Sequence, residues 1–220
     1  MRFTLAPVAL VVLAACAGGD APEADTAEQS AVTAAAPPEV EAARVSNDKY
    51  SDVNMALGEG YMQDPTGMCV AATDVGAPAE LGFMGIHYLN LQYLGSAMPP
   101  GEGPPPAGFR LSGTDATIDP ALPEVLLYEP TADGGRTLVA IEYLVFEKPW
   151  TDAGNTSPPT LAGQPFYRME DDPATPLDEA HGFEPHYELH VWTHRDNPNG
   201  LFAEWNPNVT CPPSGGAMNH

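Results

Sequence analysis

The sequence predicts an α+β fold, with an N-terminal helix packed on an antiparallel β-sheet of about five strands, loop-rich and closed by one disulfide. Three observations predict it. Short apolar runs rich in β-branched and aromatic residues are separated by turn formers, and the 220-residue chain carries 25 prolines and 21 glycines. Two such runs, 124–129 and 136–146, flank Asp133-Gly134-Gly135, which suits a tight antiparallel reversal. One segment, opened by the cap-forming Ser46-Asn47-Asp48, repeats Tyr50, Val53, Ala56 and Leu57 at helical spacing.

The N-terminus lies outside this fold. Met1-Arg2 is a minimal positive start, and Phe3 to Ala14 is an apolar run too short to span a bilayer. Residues 1–15 therefore read as a signal peptide. It ends in Leu13-Ala14-Ala15-Cys16, which resembles the lipobox of bacterial lipoproteins, in which the cysteine receives the acyl chains, palmitate among them. The alternative is an ordinary secretory peptide cut at an Ala-x-Ala-like site. Ala17 in place of an aspartate points to the outer membrane. Residues 16–44 are rich in Ala, Glu and Pro and lack aromatics, so they read as a disordered acidic tether. Residues 45–220 form a single globular domain. With Cys16 lipidated, Cys69 and Cys211 remain, and in an exported protein a pair is most simply a disulfide.

Along the domain, a helix is expected over 48–59, ended by Gly58 or Gly60, and a strand over 68–72. The run 81–89 is apolar apart from His87, and its Gly82 and Gly85 suggest a bulge or a close backbone approach. The hairpin follows a proline-glycine loop at 99–108. Its second strand is apolar on both faces except for Glu142, which argues that both faces are covered. Further strands are expected over 164–169 and 186–194, with a loop over 149–159 and turns at 196–200 and 201–205.

Formal net charge is −22, from 30 acidic against 8 basic side chains, which argues against nucleic acid and anionic membrane surfaces as partners. The acids read as a solvated surface, including the Glu170-Asp171-Asp172 run, which lacks calcium-loop spacing.

Four of the six histidines fall in 181–200. From His186 the chain alternates: Tyr187, Leu189, Val191 and Thr193 on one side, and His186, Glu188, His190, Trp192 and His194 on the other. The first side reads as core and the second as a chemically equipped face. In a strand, residues two apart stand roughly 6.7 Å from each other, and His186 and His190 about 13 Å, too far to share one ion. A metal site therefore needs ligands from other strands. His87 and Glu142 are the candidates, because each is the ionisable residue of an apolar run and a buried charge needs a partner. His87, Glu142 and His190, with Glu188 or His186 helping, have the two-histidine, one-carboxylate composition that suits zinc or non-haem iron. The competing arrangement is metal-free: His87 and Glu142 satisfy each other and His190 stacks beside Trp192. A second constellation, Asn197 and Asn206 with Trp192 and Trp205, is a candidate polar ligand pocket, although Asn-Pro and Asn-Gly are ordinary turn chemistry. No nucleophile elbow, P-loop, dinucleotide fingerprint or C-x-x-C pair is present.

Met84-Gly-Ile-His-Tyr88, Leu127-Tyr-Glu-Pro130, Val139-Ala-Ile-Glu-Tyr143, His181-Gly-Phe-Glu-Pro-His186 and Asn197-Pro-Asn-Gly200 resemble motifs of a family of exported bacterial proteins. That family has no assigned activity, so the resemblance implies an exported single domain and carries over no catalytic residue. The expected function is a cell-envelope lipoprotein facing the periplasm, membrane-bound through its lipid, that acts as a binding or structural module for a small polar ligand or an envelope protein. The alternative is a metal-dependent periplasmic enzyme using His87, Glu142 and His190.

Overall fold

The computed structural model describes residues 35–99, 106, 108–174, 178, 180 and 182–212. Cys16, the signal peptide and His181 lie outside them. Helical structure begins earlier than the sequence suggests. α1 spans Pro38–Asn47, inside the segment expected to be a tether. Pro38 fits the first helical turn, where its missing N–H costs nothing, and Val40, Ala43 and Asn47 recur at helical spacing on the buried side. A 3-10 turn, Asp48–Ser51, then places Tyr50 in the core. α2 spans Val53–Gly58, and the Asp52 side chain caps it by accepting from the Asn54 amide. The single helix expected over 48–59 is thus broken at Asp52, whose backbone is extended.

The strands are β1 (Tyr61–Gln63), β2 (Cys69–Ala71), β3 (Phe83–Asn90), β4 (Val125–Pro130), β5 (Arg136–Phe146), β6 (Thr160–Leu161), β7 (Gln164–Pro165), β8 (Tyr167–Met169) and β9 (His186–Val191). Between β5 and β6 lies α3, Glu147–Asp152, where the sequence suggested a loop. Seven strands form one antiparallel sheet in the order β1-β3-β4-β5-β9-β8, with β2 also on β3. β6 and β7 form a separate pair. The sheet exceeds the expected five strands; β1 is the one that no expected strand covers, whereas β8 falls within the run expected over 164–169. β1 and β2 share one edge of β3: β1 pairs with Tyr88–Asn90, and β2 with Phe83–Ile86.

Both faces of the sheet are buried, as the apolar β5 demands; every residue from Leu138 to Phe146 is buried. One face carries Ile86, Tyr88, Leu126, Tyr128, Ile141, Tyr143, Leu189 and Val191, in one cluster with Val40, Ala43, Tyr50 and Ala56 of the helical segment. Tyrosine hydroxyls buried there are satisfied on backbone carbonyls: Tyr128 donates to Tyr50 at 2.7 Å and Tyr61 to Pro123 at 2.6 Å. The other face carries Leu89, Val125, Leu127, Ala140, Leu144 and Phe146, covered by loop residues including Leu94, Leu111 and Val209.

Gly82 marks a close approach of two backbones. It sits at φ +90°, and a Cβ there would lie 2.3 Å from the Asn206 carbonyl oxygen. That contact brings the C-terminal segment against β3, where Phe83 and Asn206 exchange backbone hydrogen bonds. The Cys69–Cys211 disulfide closes the same junction across a sequence separation of 142 residues.

Candidate metal centre on the loop-covered face

Three strands bring the candidate ligands together. Glu142 on β5 and His190 on β9 are directly opposed in the antiparallel register. His87 on β3 faces Leu127 of β4, and its side chain reaches Glu142 across that strand. The Glu142 Oε2 atom lies 3.4 Å from His190 Nε2 and 3.6 Å from His87 Nε2. One donor atom from each residue falls within 4.8 Å of the other two.

These separations bear on both arrangements expected above. Hydrogen bonds between a carboxylate and an imidazole would be about 2.7–3.2 Å long. A tetrahedral ion with bonds of about 2.0–2.1 Å sets its ligand atoms roughly 3.3–3.4 Å apart. The two Glu142 distances match an edge of that tetrahedron better than they match a hydrogen bond. Consistent with this, Glu142 Oε2 and His190 Nε2 are sealed from solvent and have no hydrogen-bond partner among the described residues. Buried polar atoms are rarely left so.

The electrostatics follow from burial. Loss of solvent pushes the Glu142 carboxyl above its ordinary range, against the pull of His190. Burial pulls the His190 imidazole down, but the Glu142 charge, with Glu188 and Glu204 adding to it, outweighs this and raises the group to about 9. The ring of His190 also lies nearly parallel to Trp192, at 6.4 Å and 23°. The stacking expected for the metal-free arrangement is therefore present.

Glu188 does not join the three. Its Oε2 lies 3.1 Å from His186 Nε2, and His186 Nδ1 lies 3.0 Å from the Glu184 carbonyl oxygen. The Glu188–His186 pair therefore stands beside the centre as a neighbouring charge. The face named from alternation as chemically equipped is a buried one: all six residues of β9 are buried, and the strand ends at Val191. Trp192 leaves the ladder and donates its amide to Leu201, and the strand expected to reach His194 stops short.

The second constellation does not gather into one groove. Trp205 packs with Ala72 and Met84. The carboxamides hold turns: Asn197 Nδ2 donates to the Trp205 carbonyl at 2.9 Å and Asn206 Nδ2 to the Asp196 carbonyl at 3.2 Å. Trp192 instead lines a surface cavity of about 790 Å³ with Arg44, His194 and Arg195. Sequence reasoning missed that cavity because Arg44 comes from α1, in the segment taken for a tether. It also missed Glu124, a buried acid whose carboxyl burial holds well above its ordinary range and whose Oε2 accepts from the Leu144 amide. Its signal was available, as an acid opening an apolar strand. The acidic run behaves as surface charge: Glu170 pairs with Arg168, and Asp171 with Arg110.

No protein-family model, curated protein or solved structure matches this chain.

Proposed function

We propose that this is an exported cell-envelope lipoprotein whose domain holds a transition-metal ion between His87, Glu142 and His190, and acts as a metal-dependent periplasmic protein. The observation that carries this reading is the pair of Glu142 distances, 3.4 and 3.6 Å, in a buried site. Two imidazoles and one carboxylate suit zinc or ferrous iron. Three protein ligands leave a coordination position open, as in catalytic centres and unlike closed structural ones. An ion there would act as a Lewis acid; the protein side chains hold it, orient it and keep its surroundings dry. Glu188, held by His186, supplies negative charge beside the ligands.

The test is elemental analysis of protein purified without a histidine tag and reconstituted with zinc or ferrous iron. About one equivalent per chain is expected, and none for His190→Ala. Absence of stoichiometric uptake by the wild type would sink the reading.

Export rests on the N-terminal sequence and on the resemblance to exported bacterial proteins. Among the described residues no helix is long and apolar enough to cross a membrane. In this reading attachment comes from lipid on Cys16, with the domain on the periplasmic side of the outer membrane. Cys16→Ser is expected to move the protein from the membrane pellet to the soluble fraction; a variant that stays in the pellet unchanged would contradict lipidation.

A further inference from the structure

We propose that the surface cavity beside α3 and the loop leading to β6 binds a short, uncharged saccharide. The cavity measures about 520 Å³, which falls within the roughly 300–1,000 Å³ span of small-ligand sites. Its wall joins two distant segments: Trp150, Asn155, Thr156, Ser157 and Pro159 from the stretch after β5, and Ile118 from the chain before β4. In a chain with a formal net charge of −22, no ionisable side chain lines it among the described residues. The cavity beside Trp192 is, by contrast, lined by Arg44, His194, Arg195 and Asp196.

The wall is held in shape by its own hydrogen bonds. Trp150 Nε1 donates to the Ser157 carbonyl at 2.8 Å, and Asn155 Nδ2 to the Trp150 carbonyl at 3.0 Å, so the loop closes on its aromatic residue. The Phe166 amide donates to the Pro159 carbonyl at 3.0 Å and ties the far end to the fold. Trp150 and Ile118 pack against the helix-side core yet remain only half-buried. Gly154 turns with φ +92°, and a Cβ there would meet nothing within 4 Å, which leaves that side open. A wall ordered before binding loses little freedom when a ligand arrives.

The lining selects the ligand by exclusion. An ion would be desolvated there without a counter-charge. A hydrocarbon would strip water from the Asn155, Thr156 and Ser157 side chains and return no hydrogen bond. A pyranose meets both demands. Its C–H face is apolar and suits an indole or proline ring, and its hydroxyls donate and accept, as the carboxamide and hydroxyl side chains do.

The test is isothermal titration calorimetry of the full-length protein with trehalose, maltose and N,N′-diacetylchitobiose. Their charged counterparts are trehalose 6-phosphate, maltose 1-phosphate and chitobiose. At least one neutral sugar is expected to bind saturably with a Kd of about 1 mM or tighter, and its counterpart at least about tenfold more weakly. Trp150→Ala is expected to weaken binding by about tenfold or more, and Thr156→Ala by about three- to tenfold. Thr156 is exposed, so its variant keeps the fold even if Trp150→Ala does not. No saturable heat with any of the sugars, equal affinity for a sugar and its charged counterpart, or binding unchanged in Thr156→Ala would overturn the inference.

Discussion

Glu142→Ala is expected to cost metal binding and about 3–5 kcal/mol of stability together, because it leaves a buried imidazole without its counter-charge. His190 carries a raised pKa of about 9 against an ordinary 6.5, with burial opposing the shift and Glu142 foremost among the charges that produce it. A raised folded-state pKa gives stability that is fully present below the unfolded value and lost as pH rises through the folded one. The metal-free protein should therefore lose stability between pH 6.5 and about 9, by on the order of 3 kcal/mol. In Glu142→Ala that slope should flatten. Glu142 itself has the opposite sense for its charged form. Its raised pKa means that ionisation costs stability above the ordinary carboxyl range, so Glu142→Gln should be milder than Glu142→Ala. Urea denaturation of metal-free protein across this pH window, for wild type and both variants, measures each of these differences. A wild-type curve without a slope between pH 6.5 and 9 would remove the ion pair from the account.

Opening the Cys69–Cys211 bridge is the second large effect. A loop closed over 142 residues restricts the unfolded chain by about 5 kcal/mol in the chain-entropy treatment. For a domain of this size that corresponds to a fall of roughly 10–20 °C in Tm. The loss should be local first. The bridge fastens the segment in which Asn206 pairs with Phe83 and Thr210 donates to Glu129. Reduced protein, or Cys69→Ser with Cys211→Ser, should therefore expose Trp205, which adjoins that segment and packs on Ala72 and Met84, before the sheet melts. Scanning calorimetry paired with tryptophan emission would show it. Unchanged Tm after complete reduction would contradict the account.

How far the sequence disclosed this structure depends on the residues concerned. The β4–β5 hairpin was readable because its strands are long, apolar and joined by a turn of the right chemistry. The three-residue β1 has no periodicity to read, whereas β2 and β8 lie within the runs expected over 68–72 and 164–169. The start of the fold was misplaced because Pro37 and Pro38, among alanines and glutamates, have a linker composition, and Val40 and Ala43 gain their buried partners only in three dimensions. Asp52 looked like a helix interior residue and serves as a cap. In the site, His87 and Glu142 were legible as ionisable residues in apolar runs, since burial makes a charge seek a partner. The register that sets Glu142 opposite His190 was not, because one residue of slip reverses every side chain. Nor does alternation reveal which face water reaches: the His186–Glu188–His190 side reads as a chemically equipped face, and it is buried. Spacing offers either Glu188 or His186 as a helper to the three, and in the fold the two face each other instead.

The most direct test of the metal centre is X-ray absorption at the zinc edge of protein reconstituted with one equivalent of zinc. The account predicts a first shell of nitrogen and oxygen at about 2.0–2.1 Å with the scattering of two imidazoles, and loss of one of them in His87→Ala. A shell of sulfur, a shell of waters alone, or an unchanged spectrum in His87→Ala would contradict it.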